Sequence, residues 1–453
     1  MTYSSLSRLM IGVPDRIVPD WLADLAARGL KSVCIYGENV ESEEQLTGFV
    51  TELRKVLGPD AIIAIDEEGG EVTRVDYQTG SRFAGNGYLG KLDDPVITAR
   101  DGARIAELLT RVGINLNLAP VADVNIEPKN PVIGIRSFGA DQDLVARHVA
   151  AFVSGHEASG VGTTLKHFPG HGNTVSDSHL TLPKIVGGMD ELLATQIKPF
   201  EAGITAGASA VMLAHLDLGL SAPSSLSQEV VELLRGQLGF EGLIVTDALD
   251  MGALGPRSEL PNNAIRAMLV GVDLVCLGPR STLEELLEIE KLASDLGLDL
   301  LESSQQSFER MKIFSSKTPS LATEVHPEYP SLLEGLEGLA AARIIRFQGT
   351  SNPAVGEVPW YSSIAADHEV NNTQELEQQL ELSEMSIVLF RNALQMEAAV
   401  AALPESAQEK LYSVVPDPIM SQEVKTLVTY GSAQPQSEML RVLLQERLTS
   451  NVK

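Results

Sequence analysis

The segment GTTLKHFPGHGNTVSDSHL (162–180) is the clearest unit of the pattern from which the fold of this chain can be predicted. Its first five residues form a short run that is typical of a buried strand, and a loop rich in glycine and histidine follows at once. Glycine and proline within the loop favour a tightly shaped backbone and disfavour a helix. The segment therefore predicts a strand whose carboxyl end opens into a polar loop.

The same order, an apolar run followed by polar or glycine-rich residues, recurs along the chain before residue 280. The eight runs lie at 9–12, 31–36, 61–65, 114–119, 162–166, 209–214, 243–246 and 273–278. Helical patterns separate them, as at 43–58, 100–113 and 227–239, and each of these three ends in a glycine. Buried strands that alternate with helices indicate a parallel sheet, and eight such units favour a (β/α)8 TIM-type barrel over an open doubly wound sheet.

The C-terminal part of the chain has a different composition. Residues 316–331 are rich in Ser, Thr and Pro and show no sustained period, which predicts a linker between two domains. Residues 1–315 would then form the barrel. Residues 332–453 again alternate strand-like and helical runs, and this predicts a small C-terminal α/β domain of the αβα type.

Charge and cysteine content restrict the partners and the compartment. The 453 residues include 61 Asp and Glu against 34 Lys and Arg, which gives a net charge of −27 at pH 7. This charge repels nucleic acids and anionic membranes, so neither is expected as a partner. Cys34 and Cys276 each lie in an apolar run and are expected to be buried thiols. No signal-peptide pattern or membrane-span pattern is seen, so a cytoplasmic location is expected.

The loop at 166–183 holds the densest group of reactive side chains, and three interpretations stay open for it. His167, His171 and His179 with Asp177 could bind a metal ion, although the positive charge of Lys166 disfavours this. The histidines could instead form a hydrogen-bonded scaffold, which suits His171 best. In the third interpretation, Asp177 orients the imidazole of His179, which then acts as a general acid and base.

Two acidic residues directly follow predicted strands, where the active sites of barrel enzymes lie. Asp66, in IDEEGGEVTRV (65–75), could accept hydrogen bonds from several hydroxyl groups of a polyhydroxylated ligand. Asp247, in GLIVTDALDMGAL (242–254), could serve as a nucleophile, while Asp250 suits a helix cap better. A carboxylate nucleophile with a separate acid/base is the minimum equipment for retaining glycoside chemistry.

Four motifs in this order resemble those of glycoside hydrolase family 3: IDEEGG with a following Arg, NPVIGIRSFG (130–139), KHFPGHG with DSH, and VTDALDM. The DSH element further resembles the β-N-acetylglucosaminidase, or NagZ-like, branch. The resemblance implies that Asp247 is the nucleophile and that His179, oriented by Asp177, is the acid/base. It also implies a set of residues that hold the terminal N-acetylglucosamine: Asp66, Arg74, Arg136, Lys166 and His167. It implies no metal and no cofactor.

The activity implied by this resemblance is that of a retaining exo-β-N-acetylglucosaminidase, a β-N-acetylhexosaminidase acting on muropeptide fragments in peptidoglycan recycling. Two alternatives stay open. A neutral His179 would not repel phosphate, so a phosphorylase that releases N-acetylglucosamine 1-phosphate is the first. A sugar-binding barrel without catalysis is the second. Glu67 and Glu71 stand where the family commonly has Gln and Arg, which predicts an unusually acidic rim.

Overall fold

The fold is described from a computed structural model. It describes residues 4–77, 81–128, 130–174, 178, 181–185, 187–316, 343–347, 368–370, 373–381, 386–389, 403–408, 411–415 and 426–428. The chain divides into two compact units. One comprises Met1–Glu68 and Leu89–Val325, and the other comprises Gly69–Tyr88 and His326–Lys453. The sequence did not predict that Gly69–Tyr88 groups with the C-terminal part. The predicted linker lies outside the described residues, apart from residue 316, so the domain boundaries stay a prediction.

The first unit contains eight parallel strands. They are β1 (Leu9–Gly12), β2 (Ser32–Ile35), β3 (Ile62–Ile65), β4 (Leu116–Asn117), β5 (Gly162–Phe168), β6 (Ala210–Leu213), β7 (Leu243–Thr246) and β8 (Val275–Cys276). Their order in the sheet is β7-β6-β5-β4-β3-β2-β1-β8, and a bridge between Val245 and Leu274 joins the two outer strands. The sheet therefore closes on itself, which confirms the predicted (β/α)8 barrel and excludes the open sheet.

The strands are largely apolar because both of their faces are buried. Every second side chain points into the barrel, and the inward residues pack into one core: Met10, Cys34, Ile62, Ala64, Leu116, Leu118, Ala210, Met212, Leu243, Val245, Leu274 and Cys276. The alternate residues, such as Ile11, Val33 and Ile63, are equally buried. Cys34 and Cys276 are both free and buried, as predicted.

Helices follow the strands around the barrel. They are α1 (Leu22–Ala27), α2 (Glu43–Leu57), α3 (Asn86–Leu92), α4 (Pro95–Arg111), α5 (Gln142–Glu157), α6 (Gly188–Thr195), α7 (Ile197–Thr205), α8 (Gln228–Glu232), α9 (Leu260–Leu269), α10 (Leu283–Asp295) and α11 (Glu302–Ser315). Helix α4 begins five residues earlier than the predicted helix at 100–113, because Asp94 caps it and Pro95 occupies its first turn. The predicted helix at 227–239 is α8 followed by a π-helical turn, Leu233–Gln237.

The second unit contains a parallel sheet of five strands: β9 (Arg343–Phe347), β10 (His368–Val370), β11 (Ser386–Leu389), β12 (Leu411–Val415) and β13 (Thr426–Val428). Their order is β10-β9-β11-β12-β13. Two helices, Thr373–Glu381 and Glu405–Gln408, lie between strands along the chain. This unit is α/β, as predicted. Within the described residues of the whole chain, no helix is both long and apolar enough to span a membrane.

Helices α4 and α5 pack closely because each carries a glycine at the point of contact. A Cβ atom at Gly102 would lie 2.7 Å from the carbonyl oxygen of Phe152, and one at Gly155 would overlap the carbonyl oxygen of Ala99. The neighbouring atoms are backbone atoms, which cannot turn aside as a side chain can. The two helices could therefore accommodate a methyl group at either position only by moving apart.

We predict that Gly155→Ala lowers the free energy of unfolding by about 2 kcal/mol, because overpacking forces the two helices apart. Thermal unfolding followed by circular dichroism measures the change. Gly48→Ala is the matched control, since Gly48 lies within α2 and a Cβ there would meet nothing within 4 Å. The control should gain about 0.5 kcal/mol from helix propensity. Equal midpoints for the two variants would contradict the predicted clash.

The same interface buries an uncharged histidine. His156 donates its Nδ1 hydrogen to the carbonyl oxygen of Gly102 at 2.9 Å, and its ring stacks on Phe152. Burial lowers the pKa of His156 to about 4, while Glu157 and the Gly102 carbonyl oppose the shift. The unfolded chain therefore binds a proton at His156 between about pH 6.5 and pH 4, where the folded chain does not.

This difference predicts a loss of stability as the pH falls. The stability contributed by a neutral His156 is fully present above about pH 6.5 and is lost towards pH 4, which amounts to about 2–3 kcal/mol by pH 4.5. His156→Gln keeps a donor but cannot titrate. We therefore expect this variant to lose less stability than the unmodified protein between pH 7 and pH 4.5, as measured by urea unfolding. Parallel losses in the two proteins would refute the assignment.

Candidate active site

Three predicted site residues lie at the carboxyl ends of alternate barrel strands. Asp66 directly follows β3, Lys166 lies near the end of β5, and Asp247 directly follows β7. Asp66 continues the inward series of Ile62 and Ala64, and Asp247 continues the series of Leu243 and Val245. The alternation of the strands therefore directs all three side chains to the mouth of the barrel, as the sequence predicted for the two carboxylates.

Lys166 lies at the centre of a buried charge network. Its Nζ atom is 2.7 Å from Oδ1 of Asp66 and 2.5 Å from Oε1 of Glu68. The side chains of Lys166 and Glu68 are each 2% exposed, and that of Asp66 is 15% exposed. The ammonium group therefore lies between two carboxylates, almost out of contact with solvent.

Arg136 joins this network from the loop that follows β4. Its Nε atom donates to Oε2 of Glu68 at 3.0 Å, and its Nη2 atom donates to Oε1 of Glu68 at 2.8 Å. The ion pair is therefore bidentate. The other amino group donates to the carbonyl oxygen of Val132 at 3.0 Å. The side-chain oxygen of Asn130 accepts the backbone N–H groups of Val132 and Ile133 and so shapes this turn.

The network stays ionised at neutral pH. Burial by itself lowers the pKa of Lys166, but Asp66 and Glu68 outweigh it, so the pKa lies above its ordinary value. Burial by itself raises the pKa of Glu68, yet Arg136 and Lys166 hold it far below the usual range. The site therefore presents a protonated amine and a guanidinium, both held by carboxylates.

Behind Arg136, a second buried carboxylate orients His167. Oδ2 of Asp123 is 2.7 Å from Nδ1 of His167, and Asp123 also accepts the backbone N–H groups of His167 and His171. Burial raises the pKa of Asp123, but His167 and His171 outweigh it and the net shift is downward. An ionised Asp123 makes Nδ1 of His167 the donor, and the Nε2 atom lies 3.4 Å from an amino group of Arg136.

His171 has the structural role that the second interpretation gave it. Its Nδ1 atom is 2.9 Å from Oγ1 of Thr174, and its Nε2 atom is 3.3 Å from Oγ of Ser178. Burial lowers the pKa of His171 to about 4, so the ring is neutral. The ring therefore forms part of a hydrogen-bonded scaffold beneath the loop.

The metal interpretation finds no support in the part of the chain that the structure describes. No group of three or more His, Cys, Asp or Glu side chains is arranged there to hold a metal ion. Both ring nitrogens of His171 contact hydroxyl groups, and Nδ1 of His167 is bonded to Asp123. Two residues that this interpretation also needs, Asp177 and His179, lie outside the described residues.

The predicted acid/base dyad, Asp177 with His179, therefore stays a prediction. Ser178, between them, is described and buried. Its hydroxyl contacts His171, and its carbonyl oxygen accepts the N–H of Ala253 at 3.2 Å. Ser178, the middle residue of the DSH motif, therefore contacts both the scaffold after β5 and the loop after β7, which carries Asp247.

Asp247 is half-buried and held by the backbone. Its N–H donates to the carbonyl oxygen of Leu213 at 2.9 Å, and its Oδ1 atom accepts the N–H of Ala248 at 2.8 Å. Asp250 does not cap the next helical turn, because Met251 occupies the N-cap of Gly252–Leu254. Instead Asp250 lies 3.6 Å from an amino group of Arg257, and so the helix-cap expectation is wrong.

Two further expectations concern the segment after Asp66. Arg74 is half-buried and lies in Gly69–Tyr88, the segment of the second unit, so its role in sugar binding stays a prediction. Glu67 was expected to make the rim acidic, but its side chain is fully buried. Its backbone N–H and carbonyl are bonded by the side-chain amide of Asn117, which turns the residue away from the rim.

The sequence did not single out Glu68, Asp123 or Tyr36 as members of the site. Glu68 was visible as a second carboxylate two residues after Asp66. Asp123 lies in the segment that follows β4, six residues after the strand ends. Tyr36 follows β2 with the inward parity of Cys34, and its hydroxyl lies 3.6 Å from Sγ of Cys276. Strand parity could have identified Tyr36, whereas only the folded structure shows which cations Glu68 contacts.

The sequence of the chain matches that of known proteins over the barrel. The model of the glycosyl hydrolase family 3 N terminal domain matches residues 10–310. Beta-hexosaminidase A of Pseudoalteromonas piscicida is 30% identical over 344 residues, which cover 70% of this chain and 57% of that protein. A beta-hexosaminidase of Stenotrophomonas maltophilia is 33% identical over 264 residues, which cover 56% of this chain and 77% of that protein. The chain thus spans little more than half the length of the first relative.

Solved structures show the same fold. A glycoside hydrolase family 3 β-N-acetylglucosaminidase from Paenibacillus sp. superposes with a TM-score of 0.82 at 24% identity, over 99% of this chain and 97% of the other. A β-N-acetylhexosaminidase from Beutenbergia cavernae superposes with a TM-score of 0.60 at 29% identity, over 69% of this chain and 97% of the other. The family predicted from the four motifs is confirmed, and the chain belongs to glycosyl hydrolase family 3.

Proposed function

We propose that this chain is a retaining exo-β-N-acetylglucosaminidase that removes terminal N-acetylglucosamine from β-linked glycosides. The observation that carries the proposal is the position of Asp247 at the mouth of the same barrel as the Lys166, Asp66 and Arg136 network. A sugar needs several oriented donors and acceptors, and the reaction needs a carboxylate nearby. The names of the two relatives, both beta-hexosaminidases, support the choice of sugar.

Asp247 is the nucleophile in this mechanism. One of its carboxylate oxygens bonds to the anomeric carbon, and the glycosidic bond breaks with its electron pair going to the departing oxygen. His179, oriented by Asp177, gives that oxygen a proton. The N–H of Ala248 holds the carboxylate of Asp247 through a 2.8 Å hydrogen bond, which limits its freedom to turn away from the sugar.

The second step reverses these roles. His179 takes a proton from a water molecule, the water oxygen bonds to the anomeric carbon, and Asp247 leaves as a carboxylate. Two inversions at the same carbon give net retention. Because deprotonated His179 is neutral, phosphate could replace water in this step, and the assay below therefore includes it.

Five side chains would hold the sugar before and during these steps: Asp66, Arg74, Arg136, Lys166 and His167. Hydrogen bonds to ionised groups are stronger than those between neutral groups, so an ionised Lys166 suits the hydroxyls of a sugar. The proposed natural substrates are peptidoglycan fragments. The cytoplasm is the proposed location, in keeping with the two free thiols.

The direct test is release of p-nitrophenol from its β-N-acetylglucosaminide, compared with the β-glucoside and repeated with added phosphate. We expect hydrolysis of the first substrate, little of the second and no dependence on phosphate. Asp247→Asn should lower kcat/KM by about a thousandfold or more, since it removes the nucleophile.

The matched control for this variant is Asp250→Asn, which changes a half-buried carboxylate of the same loop that the mechanism does not use. We expect this control to stay within about fivefold of the unmodified enzyme, as is usual for residues outside the reaction. Full activity in Asp247→Asn would show that Asp247 is not the nucleophile. Formation of N-acetylglucosamine 1-phosphate would show that the enzyme is a phosphorylase and not a hydrolase. Sugar binding without any turnover would indicate a binding protein.

The acid role of His179 predicts a dependence on the leaving group. A good leaving group needs little protonation, so His179→Ala should lose about tenfold in kcat/KM on the p-nitrophenyl glycoside but about a thousandfold on the methyl glycoside. The ratio of the two losses is the measured quantity, and the unmodified enzyme assayed on both substrates provides the reference. An equal loss on both substrates would count against the acid role.

A further inference from the structure

Glu68 is a buried carboxylate to which neither the family motif nor the mechanism has given a role. Its Oε1 atom is shared by Nζ of Lys166 at 2.5 Å and an amino group of Arg136 at 2.8 Å, while its Oε2 atom accepts from Nε of Arg136 at 3.0 Å. Glu68 thus contacts both of these cations. Both of its oxygens are therefore used within the protein.

We propose that Glu68 is a positioning residue that sets the direction of the sugar-binding cations Lys166 and Arg136, and keeps Lys166 charged, without touching the sugar. The inference rests on the proposed function, in which these two cations hold N-acetylglucosamine. It adds a residue that acts on the substrate only through others. Such a residue contributes to affinity by reducing the freedom that the binding groups lose when the sugar binds.

The geometry supports a directing role. An ammonium group has three hydrogens in a fixed tetrahedral arrangement, so two bonds, to Asp66 and Glu68, set the direction of the third. The guanidinium of Arg136 is planar, and its bidentate pair with Glu68 fixes that plane. One carboxylate therefore aligns the donors of two side chains, one from strand β5 and one from the loop after β4.

The charges support a role in ionisation. Among the described residues, Asp66 and Glu68 are the carboxylates that contact Lys166, so loss of the Glu68 charge would leave this buried ammonium group beside one of them. Burial alone favours a neutral lysine, so the pKa of Lys166 would then fall and its proton would be lost as the pH rises. In the part of the chain that the structure describes, titratable groups near this network include the hydroxyl of Tyr36 beside Asp66 and the His167–Asp123 pair behind Arg136.

The test measures the Kd of N-acetylglucosamine by titration calorimetry at pH 6, 7.5 and 9. Binding of the free sugar involves no turnover, so the measurement does not include the proton transfers assigned to His179. For Glu68→Gln we expect binding at least about tenfold weaker at pH 6 and weaker again at pH 9, as expected when a charge-assisted bond is lost and Lys166 becomes neutral. The unmodified protein should show a much smaller change with pH.

Two variants separate positioning from general damage. Glu68→Asp keeps the charge but shortens the side chain, so its Kd should rise while its pH dependence stays like that of the unmodified protein. Glu67→Gln changes the adjacent buried carboxylate, whose backbone is held by Asn117, and it should leave the pH dependence unchanged. Circular dichroism at each pH establishes that every variant is folded.

The outcomes are distinct. Absence of N-acetylglucosamine binding by the unmodified protein would count against the proposed function, and this inference would fall with it. Binding by the unmodified protein, together with a Glu68→Gln variant of equal Kd and equal pH dependence, would overturn the inference alone. If Glu68→Gln does not fold, Glu68→Asp decides the question: an unchanged Kd in that variant overturns the positioning role.

Discussion

The rest of this structure depends on one constraint, the alternation of side chains along parallel strands that close into a ring. In a closed barrel every strand residue faces either the interior or the surrounding helices, so strand positions are buried and largely apolar until the strand ends. The first polar residues of the inward series then meet at one mouth. Asp66 and Asp247 lie there because each is the next inward position after a largely apolar strand, and Lys166 lies there because it is near the carboxyl end of β5.

The buried network at the mouth of the barrel differs in charge balance from the chain as a whole. The chain carries a net charge of −27, yet its buried network pairs two cations with two carboxylates. The desolvation of Lys166 is offset only because Asp66 and Glu68 contact it directly. An ionised site of this kind can bind a neutral sugar strongly without altering the charge of the whole molecule, since the sugar exchanges hydrogen bonds with water for hydrogen bonds with groups that are already aligned.

The loops that follow β4 and β5 are held by a second buried carboxylate. Asp123 orients His167 and accepts the N–H of His171, while His171 contacts Ser178 in the DSH motif. One acid after β4 is therefore connected, through two histidines, to the loop that would carry the acid/base. Glu68 and Asp123 are alike physically, because each charge fixes the hydrogen-bonding direction of side chains that are proposed to hold the sugar.

The strands and the family could be predicted from the sequence because the apolar period and the local motifs are properties of neighbouring residues. The eight strands, the barrel, the two buried thiols and the places of Asp66 and Asp247 followed from that local information. The partners of Glu68, the burial of Glu67 and the inclusion of Gly69–Tyr88 in the second unit did not. Lys166 lies one hundred positions from Asp66 along the chain. Only the closure of the barrel brings these residues within hydrogen-bonding distance, so only the tertiary structure could decide which charges meet.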